Sequence, residues 1–327
     1  MTVTPVREET PLAARGAKDV VSAARGGAYD QTVPRQFVHR SALSEVFLTG
    51  ASAIGEDAFL VSAQWPRAHS FFTLERNRRH DPMLVAETVR QIGLLIAHTE
   101  YAVPLGHKFL MWNLRYEVSE EALRIDGAPS EITGYVTCHD VRTRGGKLAG
   151  MRLEVELFRG GIRVGGGGTS FHCTSPAAYG RLRPVDLLAA WTEATETALP
   201  APVEPALLGR DRAEDVTLAP SEHDNTWHLR ADTCHPVLFD HAVDHVPGMA
   251  VMEAMRQAAQ LAAGPAPCAP VSYTAEFAHY VEFDSPCAIS AQVEAVTEEG
   301  VIVTAQATQD GRTAASGRLV LRPTDRA

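Results

Sequence analysis

The sequence has no Cys-x-x-Cys pair, no apolar run near the ~18 residues of a membrane-spanning helix, and no surplus of basic charge. Each absence removes a class of protein. Five cysteines (Cys138, Cys173, Cys234, Cys268, Cys287) are scattered and odd in number, which fits reduced thiols in a cytoplasmic protein better than a disulfide framework. A net charge of -10 argues against nucleic acid as the main partner, because neutralising phosphates needs a basic face. A local basic pocket for a phosphorylated metabolite stays compatible with it. The first thirty or so residues have no apolar core of a secretory signal and are rich in Ala, Gly, Arg and Glu, so 1–32 reads as a flexible tail.

What is present is an ordinary globular composition. Of 327 residues, 45% are hydrophobic and 21% charged, enough for about two folded domains. The stretch Pro82 to His98 predicts a helix, with Val85, Val89, Ile92 and Ile96 on one apolar stripe and Asp81 as a cap. Before it, Ala58 to Trp65 reads as a strand. After it, Lys108–Val118, Glu131–Val141, Met151–Phe158 and Thr169–Cys173 read as strands, separated by Gly145-Gly146 and Gly160-Gly161 turns. The order then repeats: a strand over Thr226–Arg230, a helix over Met249–Ala263, and strands over Val271–Phe277, Cys287–Val296, Val301–Thr308 and Ala315–Arg322. The proline-containing stretch between them reads as a connector holding a short helix. The expected domains are therefore 33–176 and 222–325, joined by a linker over 177–221.

The duplication is visible residue by residue. Glu87-x-x-Arg90-Gln91 recurs as Glu253-x-x-Arg256-Gln257, 166 positions on (253 against 87). Arg159-Gly160-Gly161 aligns with Gln309-Asp310-Gly311, and Gly167 with Gly317, each 150 positions on (311 against 161; 317 against 167). The difference of sixteen (166 against 150) implies longer strands or loops between helix and hairpin in the first copy.

On a helix, positions i, i+3 and i+4 share a face, so Glu87, Arg90 and Gln91 are neighbours, and Glu253, Arg256 and Gln257 likewise. An exposed Glu–Arg pair would be only a solvated helix face. The flanking runs Ile92–Ala97 and Ala258–Ala263 are nearly all apolar, which points to burial and hence to a role. His235, His241 and His245 precede the second helix without the carboxylate or cysteine spacing of a metal site. Gly165 to Gly168 lacks the following helix and Lys-Ser/Thr of a phosphate loop, and reads as close packing within a strand. No Gly-x-Ser-x-Gly elbow supports a serine hydrolase.

Phe239-Asp240-His241-Ala242-Val243-Asp244-His245-Val246-Pro247-Gly248-Met249, running on to Glu253, resembles the His-loop and acid-helix of hot-dog dehydratases. Over nearly the whole chain from Val33, the segments 33–39, 81–91 and 244–249 resemble the A-factor biosynthesis family of actinobacteria. The resemblance implies an α+β tandem double hot-dog fold. It implies an acyltransferase that moves a beta-ketoacyl chain from acyl carrier protein to dihydroxyacetone phosphate, with no cofactor, in the making of gamma-butyrolactone-type signals. Burial is expected to raise the pKa of Glu87 into the range of a general base, with Arg256 as anchor for phosphate or oxyanion. Glu253 is a further catalytic candidate. Arg90, Gln91, Gln257, His241, His245 and Gly248 are expected to bind substrate. The other readings are a dehydratase or thioesterase acting on acyl thioesters, and a non-catalytic acyl-binding regulator.

Overall fold

The computed structural model describes residues 29–74, 79–264, 266 and 268–324. The expected tail therefore lies outside the described residues up to residue 28. In the first half, β1 (Leu48–Gly55) and β2 (Ala58–Trp65) are followed by a short ribbon of β3 (Thr73–Leu74) and β4 (Arg79–His80). Then come helix α1 (Met83–Thr99) and strands β5 (Lys108–Val118), β6 (Ser130–Arg144), β7 (Lys147–Arg159) and β8 (Ile162–Thr174). Two short helices, α2 (Pro176–Leu182) and α3 (Leu187–Glu196), lie between the halves. The second half comprises β9 (Leu218–Pro220), β10 (Thr226–Leu229), helix α4 (Gly248–Ala263), β11 (Cys268–Phe277), β12 (Cys287–Thr297), β13 (Gly300–Gln309) and β14 (Arg312–Pro323).

Twelve of these strands make one antiparallel sheet in the order β1-β2-β6-β7-β8-β5-β11-β14-β13-β12-β10-β9. Read outward from the centre, the halves have the same order, so the duplication is also a pseudo-twofold symmetry. The axis passes where Tyr116 of β5 pairs with Tyr273 of β11. Each half wraps its sheet around one long helix, which is the double hot-dog architecture. The aligned hairpins are the β7–β8 and β13–β14 turns, with Gly160 and Gly161 matching Asp310 and Gly311 at positive φ. The longer β6 and β7, against β12 and β13, account for much of the difference in spacing between the copies.

Both helices are buried on nearly every side. In α1 the stripe Val85, Val89, Ile92 and Ile96 is fully buried, and so are Glu87, Thr88 and Gln91 on another face. The glycine run lies inside β8. A Cβ at Gly165 would overlap the Glu117 carbonyl, and one at Gly167 would overlap the Arg115 carbonyl and lie 2.9 Å from Val89 of the helix. These glycines let the strands and the helix approach closely.

The second half begins earlier than its sequence suggests. Val203 N donates to Leu218 O at 3.0 Å, as Val33 N does to Leu48 O at 2.9 Å. A 3-10 turn at Pro205–Leu208 matches the one at Arg35–Val38. The end of the span expected as linker thus repeats the start of the first copy, 170 positions on (203 against 33). Few side chains are retained there, but one of them is Arg210, the counterpart of Arg40.

Candidate active site

Glu87 anchors a buried network. Its Oε1 accepts from Arg40 Nε (3.0 Å), Arg90 Nη2 (2.7 Å) and Gln91 Nε2 (2.6 Å), and its Oε2 from Arg90 Nε (2.8 Å). Gln91 also donates to Glu45 O (2.7 Å) and accepts from Phe47 N (3.1 Å), tying α1 to the chain entering β1. The second copy repeats these bonds and adds one. Glu253 Oε1 accepts from Arg210 Nε (3.1 Å) and Nη2 (2.7 Å), Arg256 Nη2 (2.7 Å) and Gln257 Nε2 (2.6 Å), and Oε2 from Arg256 Nε (2.8 Å). Gln257 bonds Asp215 O (2.8 Å) and Thr217 N (2.9 Å). The copies are cross-linked: Arg40 Nη1 donates to Val237 O (3.0 Å) and Arg210 Nη1 to Phe71 O (2.9 Å).

This geometry overturns the expected rise in the pKa of Glu87. Burial pushes the carboxyl up, but Arg40 and Arg90 outweigh it and hold it down at about 2. Glu253 is held at about 2 by Arg210 and Arg256 in the same way. Four charge-assisted hydrogen bonds on Glu87 and five on Glu253 leave each carboxylate a strong anion and a weak base.

The networks differ in pairing and in access. In the second, Asp81 lies 3.0 Å from Arg210, so two acids balance two arginines, and the side chains of Arg210 and Arg256 are only 2% and 6% exposed. Phe71 stacks on Arg210, 4.1 Å from its ring centre, and closes the outside. In the first, Glu87 alone is within ion-pair distance of Arg40 and Arg90 among the described residues, and Asp240 acts on Arg40 from farther off. The Arg90 side chain is 19% exposed and opens into a cavity of about 670 Å³.

The helix starts differ too. Asp81 Oδ1 accepts from Met83 N (2.8 Å) and so caps α1. The position equivalent to Asp81 is Pro247 (247 against 81), which has no capping side chain, and the N–H groups of Gly248 and Met249 donate to no described residue. Both residues line the cavity. A Cβ at Gly248 would come within 3.1 Å of Met111 and 3.3 Å of Phe277, so the glycine keeps space over the helix start.

The cavity lies between the copies. Leu94, Phe109 and Phe171 from the first face Met249, Val251 and Phe277 from the second. Its polar wall holds Arg90, Lys108, His39 and His241, with Asp244 and His245 on the 238–248 loop. His39 is held neutral, its pKa lowered to about 3 by burial and then by Arg90 and nearby histidines and Lys108. Its Nε2 lies 2.9 Å from His98 Nε2, while His98 Nδ1 lies 2.6 Å from Val103 O. Asp240 bonds the backbone N–H of Ser41 and Ala42, which fixes the loop against the first copy and helps hold its carboxyl at about 2 against burial.

Of the residues singled out from sequence, Arg90, His241, His245 and Gly248 meet at this cavity. Glu87 and Gln91 lie behind it, touching it through Arg90 and Arg40. Glu253, Arg256 and Gln257 form the sealed network, with Arg256 Nη1 spent on Gln260 (3.4 Å). His235 is occupied structurally: Nε2 bonds Asp215 (3.1 Å), and Nδ1 accepts from Val237 N and Leu238 N (3.2 and 3.0 Å). Sequence reading missed Arg40, His39, Lys108 and Asp244 in the site, and Arg210 behind it. Arg40 and Arg210 were findable as an aligned pair 170 positions apart (210 against 40); the others carry no repeat signal.

Fold and site together define a class: a double hot-dog protein whose two halves share one open, acyl-sized cavity. The chain belongs to the A-factor biosynthesis hotdog domain family, whose model matches residues 24–175 and again 191–325. A Streptomyces virginiae protein named 2-oxo-3-(phosphooxy)propyl 3-oxoalkanoate synthase is 47% identical over 269 residues, covering 82% of this chain and 90% of that protein. A Streptomyces coelicolor protein of the same name is 40% identical over 275 residues, covering 83% and 86%. Among solved structures, a 12:0-ACP thioesterase from Umbellularia californica matches 84% of this chain and all of that one, at 11% identity and a TM-score of 0.45.

Proposed function

We propose that this protein is an acyltransferase that joins a beta-ketoacyl chain, delivered as a thioester of acyl carrier protein, to the free hydroxyl of dihydroxyacetone phosphate. The name of its relatives describes that ester: a 3-oxoalkanoate on a 2-oxo-3-(phosphooxy)propyl group. The observation that carries the reading is the asymmetry of the two networks. Only the first has an arginine open to the cavity, and only the second helix has an uncapped start, and both face that one cavity.

The parts fit the chemistry. The thioester oxygen gains charge as the alcohol adds, and the free N–H groups of Gly248 and Met249 at the positive end of α4 suit that oxyanion. The phosphate suits Arg90, whose Nη1 is left free by Glu87, together with Lys108, which has no acidic partner among the described residues. The apolar wall suits the acyl chain. In this reading Glu87 aims Arg40 and Arg90 rather than taking the proton, and Glu253 with Arg256 braces the second helix. The transfer is redox-neutral and calls for no cofactor. No helix among the described residues is long and apolar enough to cross a membrane; we place the protein in the cytoplasm, where acyl carrier protein and dihydroxyacetone phosphate occur.

The test is thiol release from a beta-ketoacyl thioester with and without dihydroxyacetone phosphate. Release that depends on the phosphate, with ester formed in equal amount, supports transfer. Release in its absence at the same rate points to a thioesterase. Tight acyl binding without turnover points to a ligand-binding regulator.

A further inference from the structure

Acyl transfer needs an acceptor for the proton of the attacking hydroxyl, and the two buried glutamates are poor ones. The loop over the cavity supplies another. His245 Nδ1 lies 2.7 Å from Asp244 Oδ1. The other oxygen of Asp244 accepts from Tyr179 OH (2.9 Å) and lies 3.4 Å from Arg183 Nε, and Arg183 also donates to the Asp244 carbonyl (3.2 Å). Arg183 is itself clamped on Glu282 (2.6 and 2.8 Å) and sits over the Tyr280 ring, whose centre lies 4.5 Å from that of the His245 ring. Asp244 is thus fixed by α2 and the residue that ends it, against the loop after β11.

Burial pushes the Asp244 carboxyl up, but bonds from His245 and Tyr179 and the charge of Arg183 bring it well below the usual range. As a carboxylate it only accepts, so in a neutral imidazole the proton sits on Nδ1 and Nε2 is bare. No described residue bonds that Nε2. His245 lines the cavity, with its side chain 26% exposed. The first copy has no counterpart: 166 positions earlier the sequence reads Arg78-Arg79. The pair therefore accompanies only the open cavity, whereas the structural carboxylate–histidine pairs, Glu45–His69 and Asp215–His235, occur in both copies.

We propose that His245 is the general base of the transfer, with Asp244 as its positioning residue; this rests on the acyl-transfer reading above. The hydroxyl proton passes to His245 Nε2 as the alcohol oxygen bonds the thioester carbon. The tetrahedral adduct collapses with loss of the C–S bond, and the imidazolium returns the proton to the departing thiolate. Nothing is oxidised or reduced.

Two measurements on the full chain test this. The first needs no substrate: two-bond proton–nitrogen correlation of histidine-labelled protein, with His245 assigned by the signal lost in His245→Gln. The expected tautomer has Nδ1 protonated and Nε2 bare, and Asp244→Asn should abolish that preference. A wild-type His245 protonated on Nε2 overturns the proposal. The second is kinetic. His245→Ala should lower kcat by about 10²–10⁴-fold while binding an unreactive thioether analogue as wild type does, and added imidazole should restore part of the rate. Asp244→Asn should lower kcat with KM little changed. Activity of His245→Ala within about threefold of wild type, or loss of analogue binding in step with activity, overturns the assignment. If wild type hydrolyses the thioester equally well without dihydroxyacetone phosphate, the transfer reading fails alone. His245 is then supported as base for water if His245→Ala loses that hydrolysis, and overturned if it does not. A wild type inert to both nucleophiles overturns both.

Discussion

Glu87→Gln keeps the shape of the side chain and removes the one carboxylate within ion-pair distance of both Arg40 and Arg90 among the described residues. Removing one side of a buried ion pair typically costs about 3–5 kcal/mol, because the partner charge stays buried. Proton linkage gives a second route to the number. The carboxyl falls from its ordinary 4.5 to about 2 in the fold. At about 1.4 kcal/mol per pH unit, that preference for the charged form contributes about 3 kcal/mol at neutral pH. Because the folded value is the lower one, this stability is complete above pH 4.5 and is lost as pH falls toward 2. Two outcomes are expected from urea unfolding of wild type and variant across a series of pH values. At neutral pH the variant is less stable by about 3 kcal/mol. Below pH 4.5 the gap narrows by about 1.4 kcal/mol per pH unit. Arg90, partly exposed, can turn toward cavity water, so Glu253→Gln in the sealed network should cost at least as much. A Glu87→Gln variant within about 1 kcal/mol of wild type at neutral pH, or a gap that does not change with pH, would refute the reasoning.

Three further outcomes follow from the same geometry. Arg90→Lys keeps the charge but loses the fork that holds Glu87 while leaving Nη1 free, and KM for dihydroxyacetone phosphate should rise about tenfold with KM for the thioester unchanged, read from initial rates. Gly167→Ala would drive a Cβ into the Arg115 carbonyl and against Val89, and should lower stability by about 3 kcal/mol or more in thermal or urea unfolding. Val251→Trp adds bulk to the apolar wall of a cavity of about 670 Å³, and should lower kcat/KM for long acyl chains more than for short ones in a chain-length series. Equal losses across the series would place the acyl chain elsewhere.

The fold was legible where periodicity was strong. The stripe Val85, Val89, Ile92, Ile96 located α1, and the aligned Glu-x-x-Arg-Gln and hairpin turns located the repeat. The start of the second copy was not, because 203–218 keeps only Val203, Arg210, Val216 and Leu218 unchanged from its counterpart, with Asp215 in place of Glu45, and matching backbone hydrogen bonds do not require matching side chains. In the site, Arg90, His241, His245 and Gly248 could be picked out from local pattern. Arg40 and Lys108 could not, because they reach the cavity from segments far away in the chain.

The repeated helix is the clearest division between the two sources. The order of residues was sufficient for the duplication, the two buried helices and the grouping of Glu, Arg and Gln on one face, since these depend on spacing along a single element. Which copy is open, which carboxylate is saturated and which helix start is free depended on contacts between the copies. Asp81 pairs with Arg210 across the interface and Phe71 covers it, while Arg90 of the other network opens into the cavity. The sign of the Glu87 shift depended on the same contacts: burial and paired charge push a carboxyl in opposite directions, and only the placement of Arg40 beside Arg90 determines which prevails.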